Sequence, residues 1–195
     1  MKRYQIMLAG TGAIVFASLV ATPVYAQGQN RFGTNGNTRN GAATVSTKAY
    51  TTTLNADEQS TLIYMLEEEK LAHDVYVALY EKWGLSIFNN ISKSEQKHQS
   101  SVAAAVSYYG LTDNRSNTVG TFTNPDLQKL YNDLIAKGLT SQTAALEVGK
   151  TIEEVDIADL KKAMSATNST YLDSVYARLL KGSENHLKAF NRQLN

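Results

Sequence analysis

From about residue 55 the chain repeats apolar residues at three- and four-residue steps, and each of four long stretches is broken near its middle by polar side chains. Such steps line one face of a helix. The first stretch predicts a helix over 56–83 that stops at Gly84, with Leu62, Met65, Leu66, Ala72, Tyr76, Leu79, Tyr80 and Trp83 inward. The second predicts 87–109, ending at Gly110, with Phe88, Ile91, Val102, Ala105, Val106 and Tyr109 inward. Asn124-Pro125 reads as a cap followed by proline at the first helical position, opening a short helix over 125–137 that Gly138 closes. The third long helix is expected over 141–166, with Leu146, Val148, Ile152 and Leu160 inward. The fourth is expected over 169–193, with Leu172, Val175, Tyr176, Leu179 and Phe190 inward. No stretch alternates as a strand would, and the two prolines, Pro23 and Pro125, leave the long helices unbroken. An all-α fold follows.

The connections carry topology. The first two long helices are joined by about three residues, and the last two by a similarly short turn, so each pair should run antiparallel. About thirty residues, including the short helix, separate the second long helix from the third. That length permits a crossover, and predicts a four-helix bundle with a short extra helix in its long connection.

The interruptions carry chemistry. They are Glu69 on the first long helix, Glu95 and His98 on the second, Glu153 and Asp156 on the third, and Ser183 and His186 on the fourth. Three-residue spacing sets Glu95 beside His98, and Glu153 beside Asp156, one turn apart on one side of a helix. All fall near mid-helix and could meet at one level. An unpaired core charge costs several kcal/mol, against a domain stability of only about 5–15 kcal/mol. No lysine or arginine lies on these stripes, and two histidines are too few for four acids. Either the acids bind cations or the inward assignment fails. Mixed carboxylate and imidazole donors suit divalent iron or manganese; zinc favours fewer ligands. The run Glu67-Glu68-Glu69 has the alternative reading of a solvated face, and Glu154 that of an exposed partner to Lys150 and Lys161.

Charge and composition exclude other classes. The chain holds 19 basic and 18 acidic residues, which gives no reason to expect nucleic-acid binding. Every acid lies at or after Asp57. Cysteine is absent, so disulfides, thiolate metal sites and cysteine nucleophiles are excluded. No nucleophile-elbow motif supports a serine hydrolase. Residues 1–26 read as a secretory signal peptide: Lys2 and Arg3, an apolar run from Ile6 to Val20, and a cleavage site at Val24-Tyr25-Ala26. The alternative is an uncleaved anchor, the one route to a membrane, but the run is shorter than the roughly 20 residues of a spanning helix. Residues 27–53, rich in glycine, asparagine and threonine and without an acid, read as a flexible linker, and 54–195 as the helical domain. The expected location is outside the cytoplasm, periplasmic or secreted.

The domain resembles the ferritin-like superfamily, in particular its rubrerythrin-type members, over roughly residues 57–194. The segment Glu69-Lys70-Leu71-Ala72-His73-Asp74-Val75-Tyr76 is similar to the first-helix pattern of glutamate, alanine and tyrosine. Glu95-Gln96-Lys97-His98 matches the second-helix Glu-x-x-His, and Glu153-Glu154-Val155-Asp156 resembles the third-helix carboxylate pair. More narrowly, the blocks EEEKLAHDVYVALYEKWG, FNNISKSEQKH, NPDLQKLYNDLIAKG, IEEVDIADL and GSENHLKAFNRQL resemble domain of unknown function 2202, a family placed among ferritin-like proteins.

The resemblance implies a ferritin-like bundle whose metal residues are Glu69, Glu95, His98, Glu153 and His186, with Asp156 as a further candidate. It implies two iron or manganese ions and oxidase, ferroxidase or peroxidase chemistry. One position departs from the pattern: the fourth helix reads Ser183-Glu184-Asn185-His186, with serine where the family's glutamate is usual. Glu184 is turned about 100° away. Asp156 could compensate, or the site could hold one metal or be degenerate. A non-catalytic binding or structural module of the cell envelope is therefore the second expectation. With no cysteines for a rubredoxin-type domain, any electron donor must be separate. Tyr76 is expected in the core or hydrogen-bonded to a ligand, and His73 away from the site. Nothing in the sequence marks cage contacts, and a homo-oligomer stays open.

Overall fold

The structure is a computed structural model and describes residues 53–195. The expected signal peptide and nearly all of the expected linker lie outside the described residues. Five helices and no strand occur among the described residues: α1 (Ala56–Trp83), α2 (Ser86–Tyr108), α3 (Pro125–Gly138), α4 (Gln142–Ala166) and α5 (Thr170–Leu194). No described helix is long and apolar enough to cross a membrane.

Local chemistry sets the helix ends. Asn55 Oδ1 accepts from Glu58 N at 2.9 Å while Asn55 N donates to Glu58 Oε2 at 3.0 Å, a reciprocal cap that starts α1. Gly84 ends it at φ 66°, where a side chain would be strained. Asn124 caps α3 ahead of Pro125, and Ser141 and Ser169 cap α4 and α5. The other oxygen of Glu58 accepts from Thr167 Oγ1 and Asn168 N, tying the start of α1 to the α4–α5 turn.

α1 packs on α2, α2 on α5, α5 on α4 and α4 on α1, so the four long helices close a ring of neighbours. α3 lies against α1 and α4. The enclosed apolar core is in two parts. Leu71, Val75, Leu79, Phe88, Ile91, Val148, Ile152 and Phe190 belong to one. Leu62, Leu66, Val102, Val106, Leu160, Leu172, Val175 and Leu179 belong to the other. On every long helix the polar interruptions fall between the residues contributed to the two parts.

Candidate metal centre

Glu69, Glu95, Glu153 and Ser183 are essentially sealed from solvent, each 2 % exposed or less. They come from four different helices and meet in the layer that divides the core. Glu95 is central. Its Oε2 lies 2.8 Å from His98 Nδ1 and its Oε1 2.8 Å from His186 Nδ1, so each oxygen faces one imidazole. Glu69 Oε2 lies 3.3 Å from His98 Nδ1, and Glu153 Oε2 3.5 Å from His186 Nδ1. Two groups result, Glu69–Glu95–His98 and Glu95–Glu153–His186, each with ligand atoms mutually within 4.8 Å. The imidazole rings stack with centroids 5.6 Å apart and are 12 % exposed, so they form the least covered edge of the layer.

The contacts are short, yet their angles are wrong for hydrogen bonds. His98 Nδ1, His186 Nδ1, Glu95 Oε1, Glu69 Oε1 and Asp156 Oδ1 all lack a hydrogen-bond partner while buried. Buried polar atoms without partners are rare in a stable protein. Donor atoms that converge in this way suit a shared cation once the imidazoles have given up their protons. Metal bonds of about 2.0–2.2 Å give ligand separations of the kind seen in both groups. The donor set therefore fits a divalent metal, with Glu95 placed to serve two.

Asp156 joins from the side. Ser183 Oγ donates to Asp156 Oδ2, and the same hydroxyl lies 3.0 Å from the carbonyl of Leu179. Asp156 belongs to neither converging group, but its charge acts on Glu69, and Glu95 and Glu153 act on it. Where the motif expects glutamate, the fourth long helix thus offers a hydroxyl that holds an aspartate from α4. Tyr76, fully buried between Phe88 and Phe190, donates to Glu153 Oε1 at 2.6 Å and fixes that carboxylate from outside the cluster. His73 lies away from the cluster, against Asp74 at 2.9 Å. Glu184 is partly exposed and belongs to neither group.

Protonation follows from burial and proximity. Burial opposes charge on every member. The two imidazoles nevertheless overcome that cost on Glu95 and hold its carboxyl down at about 2. Burial would discharge His98, but Glu69 and Glu95 raise it to about 11; Glu153 and Glu95 likewise raise His186 to about 9. Burial and neighbouring acids push Glu153 up to about 7 and Asp156 up to about 8. Burial, with Asp156, pushes Glu69 well above the usual carboxylate range. Without a metal, the cluster stores several protons that a cation would displace.

The sequence missed one neighbour of the centre. Gly182 faces His98, and a Cβ there would lie 2.5 Å from His98 Nε2. Its position one residue before Ser183 was the available signal. All three members of the Glu67–Glu69 run are buried rather than forming a solvated face. Glu67 accepts from Thr123 N, Thr123 Oγ1 and Asn124 N, while both oxygens of Glu68 have no hydrogen-bond partner.

Fold and cluster together define an all-helical protein with a buried carboxylate–histidine layer. The chain belongs to the family described as uncharacterized protein domain DUF2202, whose model matches residues 58–195. It is similar to the uncharacterized protein MJ0754 of Methanocaldococcus jannaschii, at 46% identity over 143 residues, covering 73% of this chain and 77% of the relative. It is also similar to the crystal structure of hypothetical protein MJ0754 from Methanococcus jannaschii, with TM-score 0.72 and 46% identity, covering 73% of this chain and 82% of that one.

Proposed function

We propose that this protein is an exported, ferritin-like metal protein. It binds two iron or manganese ions through Glu69, Glu95, His98, Glu153 and His186, with Asp156 supplying the fourth carboxylate. The observation that carries the reading is Glu95, whose two oxygens each face one histidine of a separate three-residue group. Two short-linked helix pairs, α1–α2 and α4–α5, separated by a long connection containing α3, support the ferritin-like topology.

Charge supports two divalent ions. Glu69, Glu95, Glu153 and Asp156, all ionised, offset two divalent cations with His98 and His186 neutral. Filling the cluster requires the imidazoles to give up their protons, because a protonated ring has no lone pair to donate. Ser183 orients Asp156, and Tyr76 orients Glu153. Iron or manganese in such a site supplies one-electron redox chemistry toward oxygen or peroxide. The apolar halves of the core above and below exclude water from the layer. The electron donor would be a separate protein or small molecule.

Anaerobic titration of the metal-stripped protein with Fe(II) tests this reading. Proton release on binding, and faster consumption of added peroxide than by a His98→Ala/Glu95→Ala variant, are expected. Binding without peroxide or oxygen turnover would favour a second reading, a non-catalytic cell-envelope module with a reduced site. Ser183 in place of the fourth-helix glutamate is the observation behind that alternative.

A further inference from the structure

The two converging groups share Glu95, yet the structure supports them unequally. His98 and His186 are equally exposed, and each turns Nδ1 toward Glu95 at 2.8 Å. The difference lies at the outer nitrogen of each ring. His186 Nε2 lies 3.1 Å from Ser94 Oγ, a hydrogen-bond contact that crosses from α5 to α2. His98 has no such post among the described residues. Its Nε2 faces the bare backbone of Gly182, where even a Cβ would stand only 2.5 Å away.

The carboxylates repeat the difference. Glu153 takes the hydroxyl of Tyr76 at 2.6 Å. Glu69 receives no hydrogen bond from outside the cluster among the described residues, and its Oε1 has no partner. Ser94 also departs from its neighbours. Ser92, Ser100 and Ser101, on the same helix, turn their hydroxyls back on carbonyls three or four residues earlier. Ser94 reaches another helix instead. A neutral imidazole carries one proton. With Nδ1 given to a metal, that proton sits on Nε2, where Ser94 Oγ accepts it. Ser94 therefore selects the tautomer and the ring orientation that the Glu95–Glu153–His186 group requires.

We propose that Ser94 is a positioning residue that makes the two metal positions unequal. Ser94 and Tyr76 hold Glu95–Glu153–His186 in binding geometry before a metal arrives, so this position fills first and holds tighter. Glu69–Glu95–His98 has neither support. Its side chains are immobilised only as the metal binds, which costs affinity, so it fills second and exchanges faster. The inference rests on the metal-binding reading above.

The chain has only three histidines, so isotope-labelled histidine gives a readable NMR spectrum. The test titrates the metal-stripped full chain with Zn(II), a diamagnetic probe, and follows each ring by long-range proton–nitrogen correlation. His73, away from the cluster, is the internal reference. In the parent, His186 should show metal on Nδ1 and a proton on Nε2 by one equivalent, and His98 should respond only toward two. Ser94→Ala should weaken the first step roughly tenfold, so that the order is lost, and leave the second step near that of the parent. Ser94→Thr keeps the hydroxyl and should restore the order. The filling order of the parent is read without any substitution, so it decides the inequality even if a variant folds poorly. His98 responding first in the parent, or both rings together, would overturn the inequality. Ordered, parent-like loading of Ser94→Ala would overturn the role of Ser94. Failure of the parent to take up Zn(II) would overturn the metal-binding reading itself, a result distinct from the other two.

Discussion

Burial and the neighbouring acids favour the protonated form of Asp156 in the metal-free protein, and replacing it tests that electrostatic picture directly. Its carboxyl is pushed from the ordinary 3.8 up to about 8, by burial first and then by Glu153 and Glu95, against the opposing hydrogen bond from Ser183. In the metal-free protein the native state therefore keeps a proton that the unfolded chain gives up. Stability from this group is fully present below pH 3.8 and is lost as pH rises toward 8. Each pH unit in that window costs about 1.4 kcal/mol, so the loss between pH 5 and pH 8 reaches roughly 4 kcal/mol. An Asp156→Asn variant has the shape of the protonated acid, accepts the same hydrogen bond from Ser183, and cannot ionise. Its stability relative to the parent should rise by up to about 4 kcal/mol over that range, which is roughly 2 M in urea midpoint. Glu68 and Glu69, which the charge of Asp156 helps to push up, are relieved in the variant as well, which acts in the same direction. The assay is urea unfolding followed by far-ultraviolet circular dichroism at several pH values with a chelator present. A difference that stays flat with pH, or falls, would refute the reasoning.

Three further outcomes are expected. Tyr76→Phe removes the donor to Glu153 at 2.6 Å and should weaken metal binding by about 10-fold or more while far-ultraviolet dichroism stays helical, as competition with a chelating dye would show. Glu67→Ala removes three hydrogen bonds at the start of α3 and should cost roughly 2–3 kcal/mol, with hydrogen exchange rising first around Thr123 and Asn124. Gly182→Ala sets a methyl 2.5 Å from His98 Nε2, so it should displace that ring and lower affinity at the Glu69–Glu95–His98 group more than at its partner group, read by Co(II) titration.

The helix spans were legible because their ends are local chemistry. Asn55 with Glu58, Asn124 with Pro125, and Gly84 act within a few residues of themselves, and the observed spans lie within a residue of those expected. The candidate cluster was legible for a related reason: one polar break per apolar stripe is visible on each helix alone. What lies around α1 was not. Three successive residues spread over about 200° of a helix, so a run such as Glu67-Glu68-Glu69 suggests solvent on at least one side. α1, however, contacts α2, α3 and α4, and nearly its whole middle is covered. Lys70 and Asp74 are buried there as an ion pair for the same reason, with Lys70 also donating to the carbonyl of Thr118. The partnership of Ser183 with Asp156 joins two helices 27 positions apart, and no spacing rule within one helix points to it.

The most direct measurement is the metal content of the full chain after anaerobic reconstitution with Fe(II) or Mn(II), by elemental mass spectrometry, beside a Glu95→Ala/His98→Ala variant. The account predicts about two metal ions per chain in the parent, as a two-metal site requires, and their loss in the variant. A parent chain that stays helical and stable yet retains no metal would contradict it.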